Sequence, residues 1–269
     1  MSDTFSPEDD KAVRPRPISE FLVALRFLTR LPIPFARTVD PVPLATAMRA
    51  FALAGAVIGG AIGLVLELGH HLHLPDLMAA GLALAFGLFT TGALHEDGLA
   101  DTADGLFGGQ TREHRLEIMR DSRIGSYGAS ALALAFMMKA GAYEALLALP
   151  FWQVILILAA TGAFSRTMVV DMMWATRPAR SDGLSASVGR PSRSTGLVSI
   201  LLGGALAVVA GWSIGPLSGF VAMAVGVMIT GLMRRLASRL VGGQTGDICG
   251  AVQVLVEIGM LASYLASIG

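Results

Sequence analysis

Seven apolar runs, at about residues 50–69, 77–94, 129–149, 154–173, 197–211, 217–233 and 248–268, decide what this chain can fold into. Each approaches the ~20 residues a helix needs to cross the hydrocarbon of a bilayer. A segment in lipid has to satisfy its own backbone polar groups, and among single segments only the helix does so. Charged residues make up 15% of the chain, well below the ~25% of soluble domains. The expected fold is all-α: a polytopic membrane helix bundle of about seven transmembrane helices. Gly59, Gly60, Gly63, Ala205 and Gly226 fall inside the runs, where small residues let helices approach closely in lipid.

Charge orients the bundle. Arginines 112, 115, 120 and 123 follow the second run, 177, 180, 190 and 193 the fourth, and 234, 235 and 239 the sixth. The connections near 70–76, 150–153 and 212–216 hold no lysine or arginine. Positive loops stay in the cytoplasm, so the chain reads as N-in and C-out. EFLVALRFLTR, residues 20–30, is too short to span and is expected to lie in the interface or tuck under the bundle. Prolines 32, 34, 41 and 43 then make a linker. Residues 1–19 read as a disordered cytoplasmic tail and 20–269 as a single transmembrane domain. The formal net charge of zero argues against a nucleic-acid partner. Cys249, alone, reads as a small apolar helix residue. A homo-oligomer is compatible with these spans.

The chemistry concentrates on the cytoplasmic side, in LHEDGLADTADGLFGG, residues 94–109. Asp97, Asp101 and Asp104 stand at i, i+4 and i+7, on one face if the segment is helical, with Glu96 beside them. Clustered carboxylates repel one another unless a cation sits among them, and a hard divalent ion fits oxygen donors best. Glycines 98, 105, 108 and 109 suggest close backbone approach. Arg120, Asp121 and Arg123 follow just before Gly-Ser-Tyr-Gly, where guanidinium forks suit phosphate oxygens. Asp182 lies in the 177–196 loop, and GGQTGD brings Gln244, Thr245 and Asp247 to the start of the last run. That helix start suits an anion, and Thr245 or Asp247 serves equally as a plain N-cap. Arg166, inside the fourth run, is expected to face the bundle interior and meet a substrate phosphate. Lys139 and Glu144 read as structural, paired with each other or near an interface; His95 reads as structural, with assistance to proton transfer as its alternative, and histidines 70, 71 and 73 are given no catalytic role.

Acids for a metal, arginines for phosphate and a membrane setting suggest phosphoryl transfer onto an alcohol. In that chemistry Asp97, Asp101, Asp104 and Arg166 are the catalytic candidates, a carboxylate taking the proton of the attacking hydroxyl. A CDP-alcohol-type lipid phosphotransferase and a divalent-cation or solute transporter are the alternatives. The segments FLVALRFLTRLPIP, TGALHEDGLADTADGLFGG, EIMRDSRIGSYG, ARSDGLSASVG and GGQTGDICGA, spread over residues 21–251, resemble the cobalamin synthase family of adenosylcobinamide-GDP ribazoletransferases. The resemblance implies a magnesium-dependent inner-membrane enzyme. In it the 5′-hydroxyl of α-ribazole, or of its 5′-phosphate, attacks the phosphate next to cobinamide, giving cobalamin or its phosphate and GMP. The family's acidic motif falls on Glu96, Asp97, Asp101 and Asp104.

Overall fold

The computed structural model describes residues 16–33 and 42–268, with no strand among them. The expected tail at 1–15 and prolines 34 and 41 lie outside the described residues. The helices in order are α1 (Pro17–Leu28), α2 (Leu44–Ala47), α3 (Phe51–His71), α4 (Asp76–Thr91), α5 (Leu94–Gly108), α6 (Arg112–Ile118), α7 (Ser126–Leu146), α8 (Phe151–Ala175), α9 (Leu184–Val188), α10 (Arg193–Trp212), α11 (Ser218–Leu240) and α12 (Gly246–Ala266). A 3₁₀ turn, Met48–Ala50, joins α2 to α3.

α1 starts inside the segment expected to be a tail, because Pro17 at its first turn is pre-set for a helix. It tucks under the bundle: Ser19, Glu20, Ala24 and Leu28 are buried, and Arg49 donates to Glu20 Oε1 at 3.4 Å. α8 is the central span. It packs most closely on α3, where a Cβ on Gly55, Gly59 or Gly162 would collide with the backbone opposite. Burying apolar area drives little association in lipid, so this backbone contact is where α3 and α8 gain their dispersion energy. Outward faces carry large exposed apolar side chains such as Phe89, Leu134, Met137 and Leu201, as a lipid-facing surface requires.

Five helical stretches, Leu44–His71, α8, α10, α11 and α12, are long and apolar enough to cross a membrane, or six if the bent pair α4 and α5 forms one span. The seven spans expected from sequence differ from this at two places. α7 has 21 residues, length enough at ~1.5 Å each, but Lys139, Glu144 and its polar first turn keep it below the apolarity of the others. α4 has only 16 residues and then turns by 90° into α5. The bend rests on two successive left-handed residues, Gly92 (φ 65°) and Ala93 (φ 56°). Glycine takes that conformation freely; alanine is strained there, by roughly 1–2 kcal/mol. The strain lies directly before the acidic helix, in the place where strained backbone most often serves a site.

Candidate active site

α5 is helical, so Asp97 and Asp101 share a face, and Glu96, one residue before Asp97, turns to another. α5 packs against the start of α12 because neither helix carries a side chain at the crossing. A Cβ on Gly98 would come within 2.7 Å of the Asp247 carbonyl, and one on Gly250 within 3.1 Å of the His95 carbonyl. The crossing brings Asp247 to the acidic face, where Asp97, Asp247 and Asp104 all bear on Asp101 electrostatically and Arg180 opposes them. Asp97, Asp247, Arg180 and Arg166 line one cavity of about 240 Å³.

Arg180 reaches this cavity because its loop is pinned. Gln244 N donates to Arg177 O at 2.9 Å and Ala179 N to Gln244 O at 2.8 Å, an isolated parallel bridge between residues 178 and 244. Arg112 adds bonds from Nε to Val241 O (2.9 Å) and from Nη2 to Ala179 O (2.6 Å). Held this way, Arg180 Nη2 reaches Asp247 Oδ2 at 3.5 Å, while its Nε and Nη1 are buried without a partner. A buried guanidinium N–H left without an acceptor costs on the order of 1–3 kcal/mol, so the donors fit a place where an anion binds. Sequence reasoning names Arg180 in its loop but does not set it among the site residues. What distinguishes it is Arg180-Ser-Asp-Gly, a cation flanked by small and turn-forming residues.

The neighbouring face of α5 is buried and carries ion pairs, although Glu96 Oε2 is left without a hydrogen-bond donor. Lys139 Nζ donates to Glu257 Oε2 at 2.9 Å and lies 3.5 Å from Glu96 Oε1; Arg166 Nη1 lies 3.4 Å from Glu257 Oε1 and donates to Gly162 O at 3.0 Å. All four side chains are buried. Glu96 therefore does not stand beside Asp97 as a fourth oxygen donor; Lys139 holds it inside the bundle. Lys139 pairs with Glu257 and Glu96 and not with Glu144, which is exposed. Sequence reasoning misses Glu257, although a lone acid in the middle of the last apolar run is a signal. Arg166 faces the interior as expected, and its buried Nε has no partner.

The remaining candidates divide between structure and periphery. Asp104 accepts from the backbone N–H groups of Gly125 (2.7 Å) and Gly128 (2.9 Å), so it clamps the start of α7. Gly-Ser-Tyr-Gly is accordingly the first turn of a helix, with Asp104 supplying from α5 the cap that Gly125 lacks. Thr245 is the N-cap of α12, accepting from Ile248 N at 3.2 Å. Gln244, 1% exposed, anchors the Arg180 loop. Arg120 donates to Asp182 at 2.5 Å, joining two loops at the surface. Arg123 grips Asp121 at 2.6 Å, and through that contact pulls the Asp121 carboxyl down to about 2. Arg120, Asp121, Arg123 and Asp182 all stand apart from the cavity lining.

No three His, Cys, Asp or Glu side chains among the described residues converge in ready ligating geometry. Magnesium asks for less: it keeps several waters and is held through one or two carboxylates plus substrate phosphates. Asp97 and Asp101, four residues apart on one helical face, fit that requirement in donor type and position.

Fold and site define a membrane-embedded helical enzyme whose carboxylate-lined cavity carries cations suited to phosphate. Within that class, the chain belongs to the cobalamin-5-phosphate synthase family, which it matches over residues 20–265. A protein of Azorhizobium caulinodans called adenosylcobinamide-GDP ribazoletransferase is 45% identical over 93% of this chain and 96% of its own length. Proteins of the same name from Bradyrhizobium diazoefficiens (43%, 91% of this chain and 92% of the relative) and Xanthobacter autotrophicus (45%, 91% and 95%) match alike. No solved structure matches.

Proposed function

We propose that this chain is an adenosylcobinamide-GDP ribazoletransferase and that the 240 Å³ cavity is where its phosphate chemistry occurs. The observation that carries the site is the meeting of Arg180 and Arg166, each with a buried N–H lacking a partner, and the carboxylates of Asp97 and Asp247 on one wall. The guanidinium groups bind the diphosphate of adenosylcobinamide-GDP, fix its orientation and offset charge as it builds on the phosphorus. The 5′-hydroxyl oxygen of α-ribazole, or of its 5′-phosphate, attacks the phosphorus on the cobinamide side. Its proton passes to a carboxylate of the 97/101 pair, and the bond to GMP breaks with the electron pair leaving on GMP. Asp97 and Asp101 are the residues that would hold Mg²⁺, which when bound neutralises diphosphate charge; Asp104 supports them by fixing α5 against α7. Arg120 and Arg123 stand at the surface paired with Asp182 and Asp121, and a substrate phosphate would engage them only by displacing those carboxylates.

The positive loops support an N-in, C-out orientation in the bacterial inner membrane with the cavity open to the cytoplasm, an orientation in which α7 and the bent α4–α5 pair cross the membrane along with the five more apolar stretches. Purified protein in detergent with Mg²⁺, adenosylcobinamide-GDP and α-ribazole should release GMP and form the cobalamin in equal amounts. EDTA should stop the reaction and added Mg²⁺ restore it. Absence of GMP release with both substrates present overturns the reading.

A further inference from the structure

The cavity has a second wall that phosphate chemistry does not use. Phe27 and Leu28 from α1, Met48 from the 3₁₀ turn, Phe51 from α3, and Val169 and Met173 from α8 give it a surface of carbon and thioether sulfur. Phe27 and Phe51 stack with ring centres 5.9 Å apart and planes 18° from parallel, which stiffens that wall. At about 240 Å³ this partly open cavity is smaller than the ~300–1,000 Å³ of a site that swallows a whole drug-sized ligand. It takes one moiety, apolar at one end and bearing an oxygen nucleophile or phosphate at the other.

Of the groups brought together in the proposed reaction, the corrinoid is far too large for this space. Guanine carries donors and acceptors along its edge, which a carbon wall would leave unpaired after desolvation. The base of ribazole is a benzimidazole whose outer edge carries methyl groups and nothing that hydrogen-bonds. Resting on the reading of the chain as a ribazoletransferase, we infer that the wall built by Phe27, Met48 and Phe51 is the seat of the acceptor's base and sets which base is accepted. A base placed there directs the ribose toward the wall of Asp97, Asp247 and Arg180. α1, too short to span, closes the acceptor end of the cavity.

Two variants probe the seat from opposite sides. Phe27 is only partly buried and its truncation to alanine widens the seat; Val188, partly buried on α9, fills it when changed to phenylalanine. Calorimetric titration of α-ribazole into the full-length protein should show binding weakened by about tenfold or more in Phe27→Ala and Val188→Phe. The KM for α-ribazole should rise in parallel while that for adenosylcobinamide-GDP stays within about twofold. The unaltered protein needs no variant to fold: it should bind the nucleoside with adenine in place of the benzimidazole about tenfold more weakly than α-ribazole. Equal binding of the two nucleosides overturns the assignment, as do unchanged α-ribazole affinities in both variants. A rise in KM for the cobinamide substrate instead gives the wall to the donor, and competition by added phospholipid gives it to a lipid chain; either result overturns it as well. If the unaltered protein releases no GMP at all, it is the transferase reading that fails, a result separate from each of these.

Discussion

The two faces of α5 carry acids of the same kind to opposite fates. On the inner face Glu96 meets Lys139, which also holds Glu257, and Glu257 in turn meets Arg166, so that buried charges cancel pair by pair. On the other face Asp97 and Asp247 line the cavity with Arg180, Asp101 lies outside the lining but within their electrostatic reach, and Arg180 keeps two donors unused. Charge that is balanced within the protein serves the fold, whereas charge left unbalanced awaits a substrate or an ion. Arg166 joins the faces, since it is paired to Glu257 on one side and lines the cavity on the other.

The sharpest break of this contrast is at the cavity face. Asp97→Asn and Asp101→Asn keep size and shape, so the protein should insert and melt as before while turnover falls by about 10³-fold or more. If both retain full GMP release, the face has no part in the chemistry. The inner face should answer in stability. Lys139→Met leaves Glu96 without a cation and Glu257 with Arg166 alone, and should cost on the order of 3–5 kcal/mol, read as a fall in detergent melting temperature. Adding Glu257→Gln to Lys139→Met should recover part of that loss; a double variant no better than the single would mean that the pair does not balance charge. Arg180→Met tests the joint claim that unpartnered donors serve substrate: about 10²-fold lower kcat/KM for adenosylcobinamide-GDP with little change in melting.

The contrast also explains how much of the molecule is legible in the chain. Runs of apolar residues and basic loops carry a membrane bundle on their face, and spacing alone puts Asp97 and Asp101 together. Spacing does not tell Glu96 from Asp97, because adjacent residues on a helix diverge by ~100° and only the neighbours decide which is dry. Lys139 is separated from Glu96 by 43 residues and from Glu257 by 118, so their pairing is a product of packing. The bend at Gly92 and Ala93 is hidden for a different reason: a Gly-Ala pair within an apolar run looks like ordinary spanning sequence. The place of α1 beneath the bundle follows from its length, yet its first residue does not, because Pro17 reads equally as the end of a tail or the first turn of a helix.

The smallest expected effect separates Asp104 from its neighbours on α5. Asp104 differs from Asp97 in having both oxygens taken by the N–H groups that open α7, at 2.7 and 2.9 Å. An asparagine there keeps one acceptor and turns the other into a donor facing an N–H, so one capping bond is lost. Loss of a cap costs about 0.5–2 kcal/mol. Asp104→Asn should therefore lower the melting temperature modestly and turnover by about tenfold or less, since α7 stays within reach and α5 shifts only slightly. Thr245→Ala, which removes the cap of α12 without touching α5, provides the matched comparison. If Asp104→Asn instead abolishes turnover as fully as Asp97→Asn while the melting temperature holds, Asp104 works on the substrate or its metal, and the boundary between the acids that hold the fold and those that do chemistry moves one turn along the helix.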